Sequence, residues 1–279
     1  MLLLELLGEN RTLLMGILNV TPDSFSDGGM FVTIDKAVAH GEALCSAGAD
    51  IIDVGGVSTR PFADPVSVDE EIARVIPVIK RLSQRVSAPI SVDTSRAETA
   101  ERAIEAGARI VNDIAALRFD PFLGDVVAEA DLPVVLMHMQ GTPETMQIRP
   151  AYDDVMGEII DFLSGSIDLA VSKGIPRENI IVDPGIGFGK KVEHNLTIIR
   201  ELSRLKSLGR PILVGASRKS FIGEITGIKE PARRDTATLA VTALLVANGA
   251  DIIRVHDVKR STEVVRMVEG ITGFPDRSS

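Results

Sequence analysis

Eight short apolar runs in this chain each end on a residue able to do chemistry: Asn19, Asp53, Asp93, Asn112, His138, Asp183, Ser217 and the Arg254/His256 pair. One aspartate at a strand end starts a turn or caps a helix as readily as it binds a ligand. Recurrence at equivalent places is the stronger signal, because an unpaired buried polar group costs about 1–3 kcal/mol. Gathered at one rim, Asp93, Asn112, Asp183 and Lys219 combine acceptors, donors and a cation. That set suits a flat, nitrogen-rich heterocycle such as a pterin or a purine. Arg60, Arg254 and His256, with Asn19, would hold an anionic group such as pyrophosphate. Asn19 is neutral and oxygen-bearing, so it can supply one ligand to a hydrated Mg2+ that also holds phosphate oxygens.

Parallel strands buried on both faces must position these groups. Leu13–Leu18 and Val134–Leu136 read as continuous aliphatic segments of that kind. Parity groups Arg254 and His256 with Ile252, Asp93 with Ser91, Asp183 with Ile181 and Asn112 with Ile110. In the fifth strand either Val135 and Met137 or Leu136 and His138 face inward. Helices close on glycine before the next strand, at Gly48-Ala49-Asp50, Gly107-Ala108-Arg109 and Gly249-Ala250-Asp251, and again at Gly174 and Gly209. Ser67-Val68-Asp69-Glu70 and Ser95-Arg96-Ala97-Glu98 fit the capping box, which makes Ser95 a cap rather than a catalytic hydroxyl. After the first box, Ile72, Val75, Ile76, Ile79 and Leu82 keep helical spacing.

This cycle of strand, polar turn, helix and glycine stop recurs about eight times. At roughly 30 residues per unit it accounts for all 279 residues as one (β/α)8 barrel domain, with 1–11 as an N-terminal extension and 276–279 as a disordered tail. The competing fold, a doubly wound open sheet, needs a Gly-rich turn after the first strand and an acid about 20 residues on; neither is present. Gly185-Ile186-Gly187-Phe188-Gly189-Lys190 has the wrong glycine spacing for a dinucleotide fingerprint and lacks the Gly-Lys-Ser/Thr of a P-loop. It reads as a flexible turn with an exposed Phe188, either a stacking platform or a lid contact. The connections 21–32 and 56–65 exceed what a βα turn needs, as working loops do.

A net charge of −9 argues against nucleic acid as a partner. Cys45, the single cysteine, forms no internal disulfide and falls on the apolar side of a helix. No His/Cys cluster points to zinc, and His40 and His194 sit on helix surfaces. The Leu-rich start, Met1–Leu7, is too short to span a membrane and lacks the basic flank of a signal peptide, so a cytoplasmic enzyme is the simplest expectation. Residues 236–248 are apolar almost all round; a symmetric dimer or burial under the N-terminal segment would cover them.

Several blocks together resemble one family. Residues 16–29 (Gly-Ile-Leu-Asn-Val-Thr-Pro-Asp-Ser-Phe-Ser-Asp-Gly-Gly), Ser58-Thr59-Arg60-Pro61, Ser91-Val92-Asp93-Thr94, Asn112-Asp113-Ile114, Met137-His138-Met139-Gln140-Gly141, Asp183-Pro184-Gly185, Ser217-Arg218-Lys219-Ser220 and Arg254-Val255-His256-Asp257 are similar to the motifs of dihydropteroate synthases, in family order. The resemblance implies a barrel that joins 4-aminobenzoate to the pyrophosphate ester of 6-hydroxymethyl-7,8-dihydropterin with Mg2+. It implies that Asp93, Asn112, Asp183 and Lys219 read the pterin edge, with Ile114, Met137 and Gly215 on its faces. Asn19, Thr59, Arg60, Arg254 and His256 would hold pyrophosphate and metal, and Thr59, Arg60, Pro61, Phe188, Ser217 and Lys219 would surround aminobenzoate. The catalytic set would be Asp93, Lys219, Arg254 and His256. The family is usually dimeric.

Two positions depart from the family pattern: Val57 where glutamate is common and Phe62 where glycine is common. They are either loop drift or an altered aminobenzoate and sulfonamide subsite. A non-catalytic pterin binder would have no use for Asn19, Arg60, Arg254 and His256. A corrinoid methyltransferase would not need the Thr-Pro-Asp-Ser-Phe-Ser-Asp loop, and a Schiff-base aldolase would bury Lys219 in an apolar pocket.

Overall fold

A computed structural model describes residues 3–9, 11–21, 30–57 and 66–273. Eight parallel strands form a nearly closed barrel: β1 (Leu13–Asn19), β2 (Ile51–Gly55), β3 (Ile90–Asp93), β4 (Ile110–Asp113), β5 (Val134–Met137), β6 (Ile180–Asp183), β7 (Leu213–Val214) and β8 (Ile252–Val255). The hydrogen-bonded order runs β6-β5-β4-β3-β2-β1-β8-β7, and a parallel bridge between Val182 and Ile212 closes the ring. Helices α1 (Leu3–Leu7), α2 (Met30–Ser46), α3 (Val68–Leu82), α4 (Ala97–Ala106), α5 (Leu123–Ala130), α6 (Val155–Ser172), α7 (Val192–Arg200), α8 (Ser220–Thr226), α9 (Asp235–Ala247) and α10 (Val258–Thr272) complete it. This is the (β/α)8 architecture expected from the repeating cycle. Residues 58–65 of the second long connection, with Thr59, Arg60, Pro61 and Phe62, and the tail from 274 lie outside the described residues, as does 22–29 of the first.

Strand parity divides the core in two. Leu13, Met15, Ile51, Ile110, Val135, Ile181, Leu213 and Ile252 fill the barrel interior. Their neighbours Leu14, Ile52, Val111, Val134, Leu136, Val182 and Ile253 pack outward against the helices. In β5 it is therefore Val135 and Met137 that face inward. Leu6 of α1 joins the interior cluster, so the N-terminal segment stops the lower end of the barrel rather than covering α9. The glycine stops hold: Gly48, Gly107, Gly174, Gly209 and Gly249 all have positive φ. The aspartates of the two Gly-Ala-Asp triplets accept strand N–H groups at that lower end, Asp50 from Leu14 (2.8 Å) and Asp251 from Ile212 (2.7 Å).

Three expectations need correction. Strand β2 continues to Gly55, which leaves Asp53 inside the barrel, fully buried, instead of at its rim. Ser67 does accept from the N–H of Glu70, but the second capping box is not a cap. Helix α4 begins at Ala97, Asp120 takes the Ala97 N–H at 2.8 Å, and Ser95 turns its hydroxyl to Asp113. Helix α9 is not buried under the N-terminal segment, because Leu6 lies in the barrel interior and Leu244 remains 56% exposed. Cys45 is half-buried against the helix layer. No helix among the described residues is long and apolar enough to cross a membrane.

Because Leu6 is 3% exposed and closes the interior column, Leu6→Ala should lower unfolding free energy by about 2–3 kcal/mol. Urea denaturation would measure this as a reduced midpoint at unchanged slope.

Candidate active site

Interior positions above the apolar column change from aliphatic to polar. Asp53, Asp93, Asn112, Asp183 and Arg254 rise from β2, β3, β4, β6 and β8, and register sets Asp93 directly beside Asn112 and Met137 beside Asp183. Arg254 lies across the centre. Its Nε donates to Asp53 Oδ2 at 2.6 Å and one Nη donates to Asp93 Oδ2 at 2.8 Å. The same Asp53 oxygen accepts from Asn112 Nδ2 at 3.1 Å, which leaves the amide carbonyl of Asn112 as the end available to a ligand. Asp53 is thus a site residue that the sequence reading placed at a strand end without giving it a role.

Burial dominates the acid–base character of the cup. It pushes the Asp93 carboxyl up to about 7, with Arg254 opposing the shift and Asp53 reinforcing it. Asp183 rises to about 6 for the same reason, offset by the Gly185 N–H bond (2.7 Å) and by Lys219. Lys219 falls to about 8 because it is desolvated and faces Arg254, while Asp183 and Asp93 hold it up. Asp93, Asp183, Lys219 and Arg254 thus perturb one another's ionisation, and Arg254 is bonded directly to Asp93. Perturbed groups facing one another in this way are what acid–base and charge-stabilising chemistry requires.

An apolar wall adjoins the charges. Met137, Met139, Met146 and Phe188 form one cluster with Ile114 packed on it, and the Lys219 ammonium sits 3.9 Å from the centre of the Phe188 ring. Phe188 is therefore buried at 8% exposure and not the exposed aromatic of a loose turn. The turn is fixed by its glycines: a Cβ at Gly185 would lie 1.9 Å from the His138 carbonyl oxygen, and Gly187 and Gly189 have φ of +81° and +62°. Gly215, on the inner face after β7, leaves room beside the Arg254 side chain.

His256 follows Arg254 on the same face. Ser217 lies 2.8 Å from its Nδ1 and also accepts its backbone N–H, so the Ser217 hydroxyl is engaged with the imidazole. Burial, then Arg218 and Arg254, pushes His256 down to about 3. A neutral ring accepting the serine O–H at Nδ1 carries its proton on Nε2, the nitrogen left to donate. Arg218 is turned away, at φ +60°, into a two-point pair with Asp235. Asn19 is exposed at the upper end of β1. His138, by contrast, points out of the barrel toward Lys190 and the edge of Phe162. His194 caps α7 by accepting the Lys191 N–H, and His40 lies on the surface of α2.

Residues 15–256 match the family described as pterin binding enzyme. Dihydropteroate synthases from Synechocystis sp. and Escherichia coli are each 48% identical, over 94% and 91% of this chain and 90% of their own lengths. This chain belongs to the dihydropteroate synthase family of pterin-binding enzymes. Among solved structures, Xanthomonas albilineans dihydropteroate synthase with 4-aminobenzoic acid superposes at a TM-score of 0.89, with 45% identity and coverage of 95% of this chain and 94% of that one. The Yersinia pestis synthase with a sulfonamide drug also reaches 0.89, at 45% identity and 94% coverage of both chains.

Ser217→Ala should free the His256 ring to change tautomer. Turnover should fall about tenfold, the scale of one misplaced catalytic hydrogen bond, with little change in melting temperature. Steady-state kinetics beside a thermal melt checks both.

Proposed function

We propose that this chain joins 4-aminobenzoate to 6-hydroxymethyl-7,8-dihydropterin pyrophosphate, forming 7,8-dihydropteroate and pyrophosphate in folate synthesis. The observation that carries the reading is Arg254 bonded to Asp93, with Asn112, Asp183 and Lys219 about the same barrel mouth, in a family whose solved members include one with 4-aminobenzoic acid and one with 7,8-dihydropteroate. The Asp93 and Asp183 carboxylates and the Asn112 carbonyl accept from ring N–H groups, Lys219 donates to a ring acceptor, and Met137, Ile114 and Gly215 border the ring faces. Arg254 and neutral His256, with Asn19, Thr59 and Arg60, receive the pyrophosphate. Phe188, Ser217 and Lys219, with Thr59, Arg60 and Pro61, form the aminobenzoate side.

Aromatic amines are weak nucleophiles, so departure of pyrophosphate ahead of amine attack is the favoured order. Arg254 and His256 neutralise charge on the leaving group, and the methylene cation left on the dihydropterin faces the Asp93 carboxylate. Among the described residues no group of three or more His, Cys, Asp or Glu side chains could cage a metal. Asn19 offers one neutral oxygen, which fits Mg2+ held mainly by water and the substrate's own phosphates. Bound there, the ion would add charge neutralisation on the leaving group. Pyrophosphate release from the pterin ester, measured with and without 4-aminobenzoate, tests the activity. Absence of release in both arms overturns it.

A second copy of the chain is proposed to cover the outer face of α9 and α10, where Leu244, Met267 and Ile271 are 56%, 64% and 71% exposed. Light scattering should return twice the chain mass for the native protein and the monomer mass for Leu244→Glu/Met267→Glu.

The raised carboxyls fix the sign of the pH dependence. Both must be ionised to accept ring N–H groups, so kcat/KM for the pterin ester should climb through about pH 6 to 7. That is well above the ordinary carboxylate range. Asp183→Asn should remove the component near 6 and cost about 10- to 100-fold, as loss of a hydrogen bond to a charged group does. A pH–rate profile of both proteins checks it.

A further inference from the structure

Lys190 is buried at 4% exposure, immediately after the glycine turn, and none of the roles above uses it. Its ammonium lies 2.9 Å from His138 Nδ1 and donates to the Phe188 carbonyl at 3.0 Å and, more weakly, to the His138 carbonyl at 3.4 Å. Burial, then the positive charges of Lys190 and Arg118, pushes His138 down to about 2, which leaves its ring neutral and able to accept. Burial likewise pulls Lys190 itself down to about 7. A buried lysine is costly unless its donors are satisfied, and these donors converge on two backbone segments of the site. One is the end of β5; the other is the turn that carries Phe188.

That turn needs external pins. Gly187 and Gly189 flank Phe188 at positive φ, so local sterics leave the orientation of the intervening peptide open. Gln147 donates to the Gly187 carbonyl and Tyr152 to the Gly189 carbonyl, each at 2.8 Å, but Gln147 is exposed and Tyr152 only half-buried. Lys190 holds the Phe188 carbonyl itself, and the Phe188 ring lies 3.9 Å from the Lys219 ammonium. We propose that Lys190 is a positioning residue: anchored on His138, it fixes Phe188 under Lys219 and so sets the subsite for the aromatic amine. The inference rests on the reaction proposed above.

Lys190→Met should raise the KM for 4-aminobenzoate about tenfold, the size of one lost charge-assisted hydrogen bond, while the KM for the pterin ester moves less than about twofold. His138→Leu, which leaves Lys190 its two carbonyl acceptors, should give a smaller rise with the same selectivity. The double variant should be no worse than Lys190→Met alone, because both changes break one linkage. If Lys190→Met fails to fold, the His138→Leu kinetics decide alone. Equal increases in both KM values, an unchanged aminobenzoate KM, or additive effects overturn the proposal. An inactive parent protein would instead overturn the assigned reaction, so the two failures are distinguishable.

Discussion

One guanidinium organises the mouth of this barrel. Arg254 is shared between Asp53, which is fully buried, and Asp93, which lies nearer the mouth, and its charge is felt by Asp183 and Lys219 as well. Two carboxylates this close to each other in a poorly solvated interior repel; the cation between them offsets that repulsion. The arrangement also explains why Asp53 belongs in the barrel and not on its rim. With Nε committed below to Asp53, the guanidinium plane is fixed and the remaining donors are aimed at the mouth. Through Asn112, the same Asp53 oxygen also fixes the direction of an amide on the far side of β3. A single buried carboxylate thereby relates Arg254, proposed to hold the anion, to Asn112, proposed to read the ring.

Such a centre requires a frame that does not yield. Buried ion pairs contribute little net stability, because desolvation offsets attraction. The frame comes from the aliphatic column beneath, from Leu6 and Leu13 up through Ile252, and from the outer layer that clamps each strand to its helices. Strain is stored close to the site and held by it. Ala116 and Leu117 both have positive φ, 52° and 63°, a conformation that costs an L-residue about 1–2 kcal/mol. Asp113 holds them there by accepting the N–H groups of Ala115 and Leu117, with the Ser95 hydroxyl on the same carboxylate. The turn so formed follows Ile114, which packs on the methionine wall.

The barrel itself was legible because both of its periodicities are written locally. Continuous aliphatic runs mark strands buried on two faces, and positive-φ glycines mark where helices stop. Asp93, Asn112, Asp183 and Arg254 were legible for the same reason, since strand parity alone carries them inward. What was not legible depended on partners distant in sequence. Ser95 looked like a cap because Asp113, 18 residues beyond it, and Asp120, 23 residues beyond Ala97, are absent from any local pattern. Asp53 looked terminal because an aspartate within an aliphatic run resembles its end; Arg254, 201 residues away, and Asn112 make that burial tolerable. Lys190 and the burial of Phe188 were hidden by composition: a turn rich in glycine reads as loose, whereas here Gly185 and Gly189 mark close backbone approach and Gly187 makes room for the Lys219 side chain.

The glycine turn and the Arg254 centre solve opposite problems with similar means. At the centre, rigidity comes from opposed charges on side chains rising from β2, β3 and β8, where the backbone is already fixed. At the turn, the backbone is intrinsically free, and side chains from other elements restrain it: Asn195 accepts the Gly187 N–H at 2.8 Å, Asp183 accepts that of Gly185, and Lys190 holds the Phe188 carbonyl. Asp183 belongs to both systems, because one oxygen ties down the turn while its charge faces Lys219. A pterin on the strand side and an aromatic amine on the turn side would therefore meet across residues mechanically joined through Asp183 and Lys219. For two substrates whose reacting atoms must approach within bonding distance, that shared support makes their relative placement a property of the fold rather than of either ligand.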